Sequence, residues 1–225
     1  MTTIQTESAM PRILQEAPDF EAKTTQGVVR LSDFTNQGKW VMLFSHPSDF
    51  TPVCSTEFLA FARHAQDFEK RNVQLLGLSI DSLNSHIAWA RDMEQWGGVK
   101  IGFPVIADLD QRVARLYGMV HEAASDTATV RAVFAIDPKR KIRAILYYPM
   151  QLGRSVDELL RIFDGLQIAD LSSVSTPADW KPGEPVIVPA PATLEGARQR
   201  VQGDHDGLNV EAWYLTTKED AVAAK

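Results

Sequence analysis

The sequence predicts an α/β layered domain followed by a small α+β arm, and three observations carry that reading. Apolar strand-like runs alternate with segments of helical spacing over most of the 225-residue chain. The alternation closes with two adjacent strand-like runs, Thr129–Asp137 and Ile142–Tyr148, and one more helix. Composition then shifts near Ser172–Pro177, and Pro177, Pro182, Pro185, Pro189 and Pro191 all lie beyond it. A tail this short and this poor in apolar pattern does not make a robust core of its own. The predicted division is therefore a main domain over 11–171 and an arm over 172–225.

The elements follow in order. Ala17-Pro18-Asp19-Phe20 leads as an extended segment into a hairpin, with its turn at Gln26-Gly27 and the returning strand at Val28–Leu31. Ser32-Asp33-Phe34 starts a short turn or helix, and Trp40–Phe44 reads as a buried strand. Thr51-Pro52 signals a helix start, with a hydroxyl residue at the N-cap and proline at the first helical position, where its missing N–H costs nothing. Phe58, Phe61, Ala62, Ala65 and Phe68 then recur at steps of three and four. Asn72–Ile80 is the next strand. Ser85–Trp96 reads as a helix with Ile87, Ala90 and Met93 on one side, stopped by Gly97-Gly98. Phe103–Ile106 and Asp108–Tyr117 give a short strand and a short helix. Pro138–Lys141 turns the closing hairpin, and Ser155–Ala169 is a helix facing the core with Val156, Leu159, Leu160, Phe163 and Leu166. In the arm, short elements are expected at Val186–Val188, Leu194–Val201 and Val210–Leu215.

Composition narrows the function. Hydrophobic content of 44% and charged content of 23% are ordinary for a soluble globular chain. A net charge of −6 argues against nucleic acid or an anionic membrane as the main partner. The opening Met1–Ser8 is polar with no apolar segment, so no secretory signal is expected, and no apolar run reaches membrane-spanning length. A single cysteine excludes an intramolecular disulfide and a cysteine-based metal cage. A reducing, cytoplasmic setting fits these features.

That cysteine is Cys54. With Thr51 as N-cap it stands at the third helical position, facing the positive end of the helix dipole and unpaired backbone N–H groups. Such a setting favours a thiolate over a thiol. Read in isolation, Thr51 and Pro52 are equally helix punctuation, and Cys54 equally a small buried hydrophobe.

The surrounding string separates the two readings. Pro47-x-x-x-Thr51-x-x-Cys54 is the active-site pattern of the peroxiredoxins, and the chain resembles that family through nearly its whole length. The longer run Phe44-Ser45-His46-Pro47 through Asp49-Phe50-Thr51-Pro52-Val53-Cys54 resembles the one-cysteine subfamily. The resemblance implies a thioredoxin-like fold with peroxiredoxin insertions. It also implies a thiol-dependent peroxidase, acting in antioxidant defence on hydrogen peroxide and alkyl hydroperoxides, with no cofactor. The arm would pack on the main domain or on a second subunit, giving a homodimer or a higher oligomer.

Peroxide chemistry asks for more than an ionised sulfur. Full ionisation of an ordinary thiol at neutral pH gains about 30-fold in nucleophile, or ~2 kcal/mol. The departing oxygen must also be stabilised as the O–O bond breaks. Arg131 interrupts an apolar strand, where an unpaired guanidinium is costly, so it belongs to an ion pair, structural or catalytic. The family places an arginine at the matching position beside the cysteine, able to stabilise thiolate and oxyanion alike. Thr51 can offer its hydroxyl to the peroxide, the Cys54 N–H is a further donor, and the rigid ring of Pro47 would shield the site.

Glu57 is one helical turn past Cys54. A bare carboxylate there opposes ionisation of a thiol, so it either pairs with Arg131 or Arg154 or simply complements the helix N-terminus. Arg154 matches a second family arginine near the pocket, or lies on the surface. His46, beside Pro47, is a pocket wall or a hydrogen-bond partner. No metal is expected, since His64, His86, His121 and His205 have no metal-ligand spacing.

With one cysteine, the sulfenic acid product cannot be resolved within the chain, so an external thiol or other reductant must regenerate it, and excess peroxide should drive it to sulfinic acid. A peroxide-gated chaperone or sensor would use the same sulfenic acid as a signal. Phospholipase activity, reported for some one-cysteine members, needs an activated serine. The chain has no Gly-x-Ser-x-Gly, and the corresponding loop reads Asn36-Gln37-Gly38-Lys39-Trp40.

Overall fold

The computed structural model describes residues 10–203 and 205–219, so the polar Met1–Ser8 opening lies outside the described residues. The chain forms two compact units that divide between Val156 and Asp157.

The first unit is built on a seven-stranded sheet. Its strands are β1 (Glu21–Thr24), β2 (Gly27–Arg30), β3 (Trp40–Ser45), β4 (Val73–Ser79), β5 (Val105–Ala107), β6 (Arg131–Ile136) and β7 (Ile142–Tyr148), in the order β2-β1-β5-β4-β3-β6-β7. Two short helices, α1 (Leu31–Thr35) and α5 (Arg112–Leu116), follow β2 and β5. β3 pairs parallel to β4 and antiparallel to β6, so it lies in the middle of the sheet and is buried at every position. Strands buried on both faces read as continuous apolar runs, which is why Trp40–Phe44 shows no alternation.

Side chains still alternate across the sheet. Val41 and Leu43 join Leu76 and Leu78 of β4 and Ala132, Phe134 and Ile136 of β6 in one cluster. Phe44 points the other way and packs on Phe58 and Phe61, with ring centroids 5.7 and 4.7 Å apart. Both phenylalanines belong to α2 (Pro52–Arg63), which therefore covers this second face. Gly77 on β4 makes room for them: a Cβ there would meet Phe44 at 3.3 Å and Phe58 at 3.4 Å. By the same alternation Arg131, next to Ala132, is turned toward the α2 side.

Two details differ from the sequence reading. The run Phe58–Phe68 is two helices, α2 and α3 (Ala65–Lys70), because His64 leaves the helical region (φ −97°, ψ 9°). The helix α4 (Leu83–Gly97) buries His86, Trp89 and Met93, whereas Ile87 is 42% exposed. Steps of three and four join His86, Trp89 and Met93 as well as they join Ile87, Ala90 and Met93, so spacing alone leaves the inward face open. Helix α4 ends as expected, with Gly98 as a left-handed cap (φ 67°) that a side chain would strain.

The second unit holds α6 (Val156–Ser172), α7 (Leu194–Gln202) and a three-stranded sheet. Its strands are β8 (Val186–Ile187), β9 (Leu208–Ala212) and β10 (Leu215–Lys218), in the order β8-β10-β9. The expected single element at Val210–Leu215 thus spans two strands. Ile168, Val174, Trp180 and Val186 cluster, and the Trp180 Nε1–H donates to the Glu184 carbonyl at 3.0 Å. Ile168 is buried where Leu166 was expected to be, and Leu166 is only half-buried. Among the described residues no helix is long and apolar enough to cross a membrane.

Candidate active site

Cys54 is free and fully buried in the first turn of α2. Thr51 is the N-cap, in extended backbone, and Pro52 takes the first helical position. The first helical bond is Ser55 N–H to the Thr51 carbonyl at 3.0 Å, so the N–H groups of Val53 and Cys54 precede the helical ladder. Thr51 makes no side-chain cap to them. Its hydroxyl instead donates to the Ser48 carbonyl at 2.8 Å. That reverses the expected direction: the Thr51 hydrogen is committed, and its lone pairs are what remain for an incoming O–H.

Arg131 reaches the sulfur, with Nη1 3.3 Å from Cys54 Sγ. The same Nη1 donates to Glu57 Oε2 at 2.7 Å, and Nε and Nη2 donate to the Met150 carbonyl at 2.9 and 2.7 Å. Four of the five guanidinium hydrogens are thus placed. The fifth has no partner among the described residues.

Glu57 pairs with both arginines, so the question left open by its spacing resolves to two partners rather than one. Arg154 Nε donates to Oε1 at 2.8 Å and Nη2 to Oε2 at 2.7 Å, a bidentate fork, and the Arg154 backbone N–H adds a third bond to Oε1 at 2.8 Å. Burial pulls the Glu57 carboxyl upward, and these contacts outweigh it and hold the carboxyl below its ordinary range.

Arg154 is buried, not on the surface. Its Nη1 donates to the carbonyls of Ser45 and Ala132, each at 3.0 Å, and its guanidinium lies over Phe44 and Phe61 at 5.3 and 5.5 Å. The Glu57, Arg131 and Arg154 side chains together carry one net positive charge in a water-poor site. A deprotonated sulfur beside Arg131 brings the sum to zero.

The remaining expected residues sit on the loop between β3 and α2. Pro47 is buried there. His46 is also buried and hydrogen-bonds through Nε2 to Asp49 Oδ1 at 2.9 Å, while its ring stacks on Trp89 at 5.2 Å. Burial pushes the His46 imidazole down, against the pull of Asp49. In the sequence Asp49 stands out only as part of the motif string, and His86 only as a histidine without metal-ligand spacing, yet the fold brings both to His46. His86 Nδ1 is 2.8 Å from Asp49 Oδ2, and the polar atoms of His46, Asp49 and His86 lie within 4.8 Å of one another. Those atoms are already engaged in hydrogen bonds with one another. The Met150 carbonyl is invisible in the sequence, because any residue offers that group.

The sequence matches two family models. Residues 13–145 match the AhpC/TSA family, and residues 165–203 match the C-terminal domain of 1-Cys peroxiredoxin. Peroxiredoxin 2 of Caldanaerobacter subterraneus subsp. tengcongensis is 50% identical over 93% of this chain and 94% of its own. The peroxiredoxin of Aquifex aeolicus is also 50% identical, over 94% and 98%. Among solved structures, a yeast mitochondrial 1-Cys peroxiredoxin superposes with a TM-score of 0.83 at 40% identity, covering 94% of this chain and all of that one. The Peroxiredoxin 6 of Arenicola marina, as a cysteine-to-serine mutant, gives 0.82 at 34% identity, covering 92% and 97%. With the matched models accounting for most of its length and its one cysteine at the head of α2, the chain belongs to the AhpC/TSA family of peroxiredoxins, in the 1-Cys branch.

Proposed function

We propose that Cys54 is the peroxidatic residue and that Thr51, Arg131 and Pro47 complete the catalytic set. The Cys54 thiolate attacks the terminal oxygen of a hydroperoxide. An S–O bond forms and the O–O bond breaks. The departing oxygen keeps the electron pair and leaves, after taking a proton, as water or an alcohol. Thr51 accepts the peroxide O–H, while the Cys54 N–H and the Arg131 guanidinium meet the charge that builds on oxygen. Glu57 and Arg154 hold Arg131 in place, Pro47 shields the sulfur, and His46 shapes the loop beneath it.

The single observation behind this reading is the 3.3 Å approach of Arg131 Nη1 to Cys54 Sγ at an uncapped helix start. The sulfenic acid is reduced from outside: two external thiols return Cys54 to its thiol and leave as a disulfide and water. The yeast mitochondrial relative resolves its thiol via glutathione/thioredoxin systems, and a reductant of that chemistry is proposed here too. We further place the protein in the cytoplasm as a homodimer or higher oligomer, with 172–225 as the arm.

The test is peroxide consumption with dithiothreitol as reductant. Wild type turns over with hydrogen peroxide and with an alkyl hydroperoxide, and Cys54→Ser does not. Retained turnover in that variant removes the thiol mechanism, and oxidation of wild type without recycling favours a sensor.

A further inference from the structure

Pro47 and Thr51 ride on a loop whose shape is set from α4. His86, in the first turn of that helix, is 1% exposed. Its Nε2 is 3.1 Å from the Ile106 carbonyl oxygen, and its Nδ1 is 2.8 and 3.0 Å from the two oxygens of Asp49. A carbonyl can only accept, so Nε2 carries hydrogen. Asp49 also faces His46 Nε2 at 2.9 Å. Burial draws the Asp49 carboxyl up, and its two imidazole partners more than reverse this and keep it ionised. An ionised carboxylate only accepts as well, so the His86 ring lies between two acceptors, the Ile106 carbonyl and Asp49. The His46 Nδ1, by contrast, is buried with no partner among the described residues, which suits a neutral ring protonated at Nε2.

We infer that His86 bridges the Ile106 carbonyl and Asp49 and, through Asp49, positions the loop that presents Pro47 and Thr51 to Cys54. The catalytic part of this inference rests on the peroxidase reading above, and the bridge itself does not. Asp81 anchors the same loop from the end of β4, accepting the Asp49 N–H at 3.0 Å, Ser79 Oγ at 2.6 Å and Ser48 Oγ at 3.4 Å. Among the described residues, Asp49 and His46 are the titratable groups against the ring, and Asp81 stands one step further, on the Asp49 N–H; Ile106 offers only backbone, and Trp89 and Phe58 pack on His46 as apolar walls. Held at both its side chain and its N–H, Asp49 is followed by Phe50 at φ 54°, a conformation that residues other than glycine rarely keep without support. Thr51 comes next. The path from His86 to the catalytic threonine therefore runs through one side-chain contact and two residues of chain. A loop shifted by about 1 Å is enough to lose 10- to 100-fold in rate.

The first measurement is the ring nitrogen-15 spectrum of the reduced full-length protein. The expected result is a His86 Nδ1 signal, absent from the His86→Asn spectrum, that moves when Asp49→Asn removes its charged partner. A His86 Nδ1 signal unmoved by Asp49→Asn, or a stoichiometric metal bound to the purified protein, overturns the inference. This spectrum needs no turnover, so a wild type inactive on peroxide would sink the peroxidase reading alone. The second measurement is the rate of Cys54 oxidation by hydrogen peroxide in D49N, H86N and the double variant. Each single change lowers it about 10- to 100-fold, and the double falls no further than the worse single, as expected for one shared contact. Unchanged rates, or losses that multiply, overturn the positioning role.

Discussion

Arg154 and Glu57 meet as a buried fork, Nε to Oε1 at 2.8 Å and Nη2 to Oε2 at 2.7 Å, and with the Met150 carbonyl the pair holds Arg131 beside the Cys54 sulfur. Glu57 is shared: the oxygen that takes Arg154 Nη2 also takes Arg131 Nη1. Neutralising it leaves two guanidinium groups facing each other out of water. Glu57→Gln should cost about 3 kcal/mol or more, the usual penalty for stranding a buried charge. Urea unfolding of the reduced protein measures it, and a loss under about 1 kcal/mol would show that solvent reaches the cluster.

Arg131 should be felt in rate more than in stability. Removing one donor to a developing oxyanion costs about 100- to 1,000-fold. Arg131→Gln is expected to lower the second-order rate constant with hydrogen peroxide by that factor. Arg131→Lys keeps the charge but cannot reach Glu57 and the Met150 carbonyl together, so it should fall between wild type and glutamine. Stopped-flow oxidation of Cys54 ranks the three, and equal rates for all would dismiss the guanidinium from the reaction.

Thr51 separates capping from catalysis, because its hydroxyl caps nothing. Thr51→Val matches its shape and removes both the bond to Ser48 and the lone pairs that would receive a peroxide hydrogen. The expected outcome is a rate loss of about 100-fold with a stability loss near ~1 kcal/mol. Thr51→Ser should keep most of the rate. Parallel kinetics and thermal melts decide it, and a melt that tracks the rate loss would make the role structural.

Acid should unfold the protein in two stages. His46 is buried and pushed below its ordinary value of 6.5, so the unfolded chain binds a proton there that the native chain refuses. That stability is complete above about pH 6.5 and drains as pH falls below it. Glu57 and Asp49 are also held below their ordinary values of 4.5 and 3.8, and their share is lost only at lower pH, once unfolded carboxylates protonate. Urea midpoints taken from pH 8 to pH 3 should decline in both windows. A flat midpoint between pH 7 and 5 would mean that native His46 takes up its proton freely.

Local chemistry settled much of this molecule before any fold was known. Thr51-Pro52 marks a helix start because a proline at the first helical position gives up no hydrogen bond, and that alone puts Cys54 among N–H groups that precede the helical ladder. An arginine inside the run Val130–Ile136 demands a partner wherever the strand lies. What stayed hidden was the partner's address. Arg131 is 77 residues from Cys54, and only the pairing of β3 with β6, with α2 laid over their shared face, brings the two within 3.3 Å. The expectation of Ile87 on the core side of α4 fails for a related reason. A helix repeats every 3.6 residues and offers several apolar-looking faces, and which one turns inward depends on what waits there. Here an aspartate waits, so the polar residue goes in and Ile87 stays out.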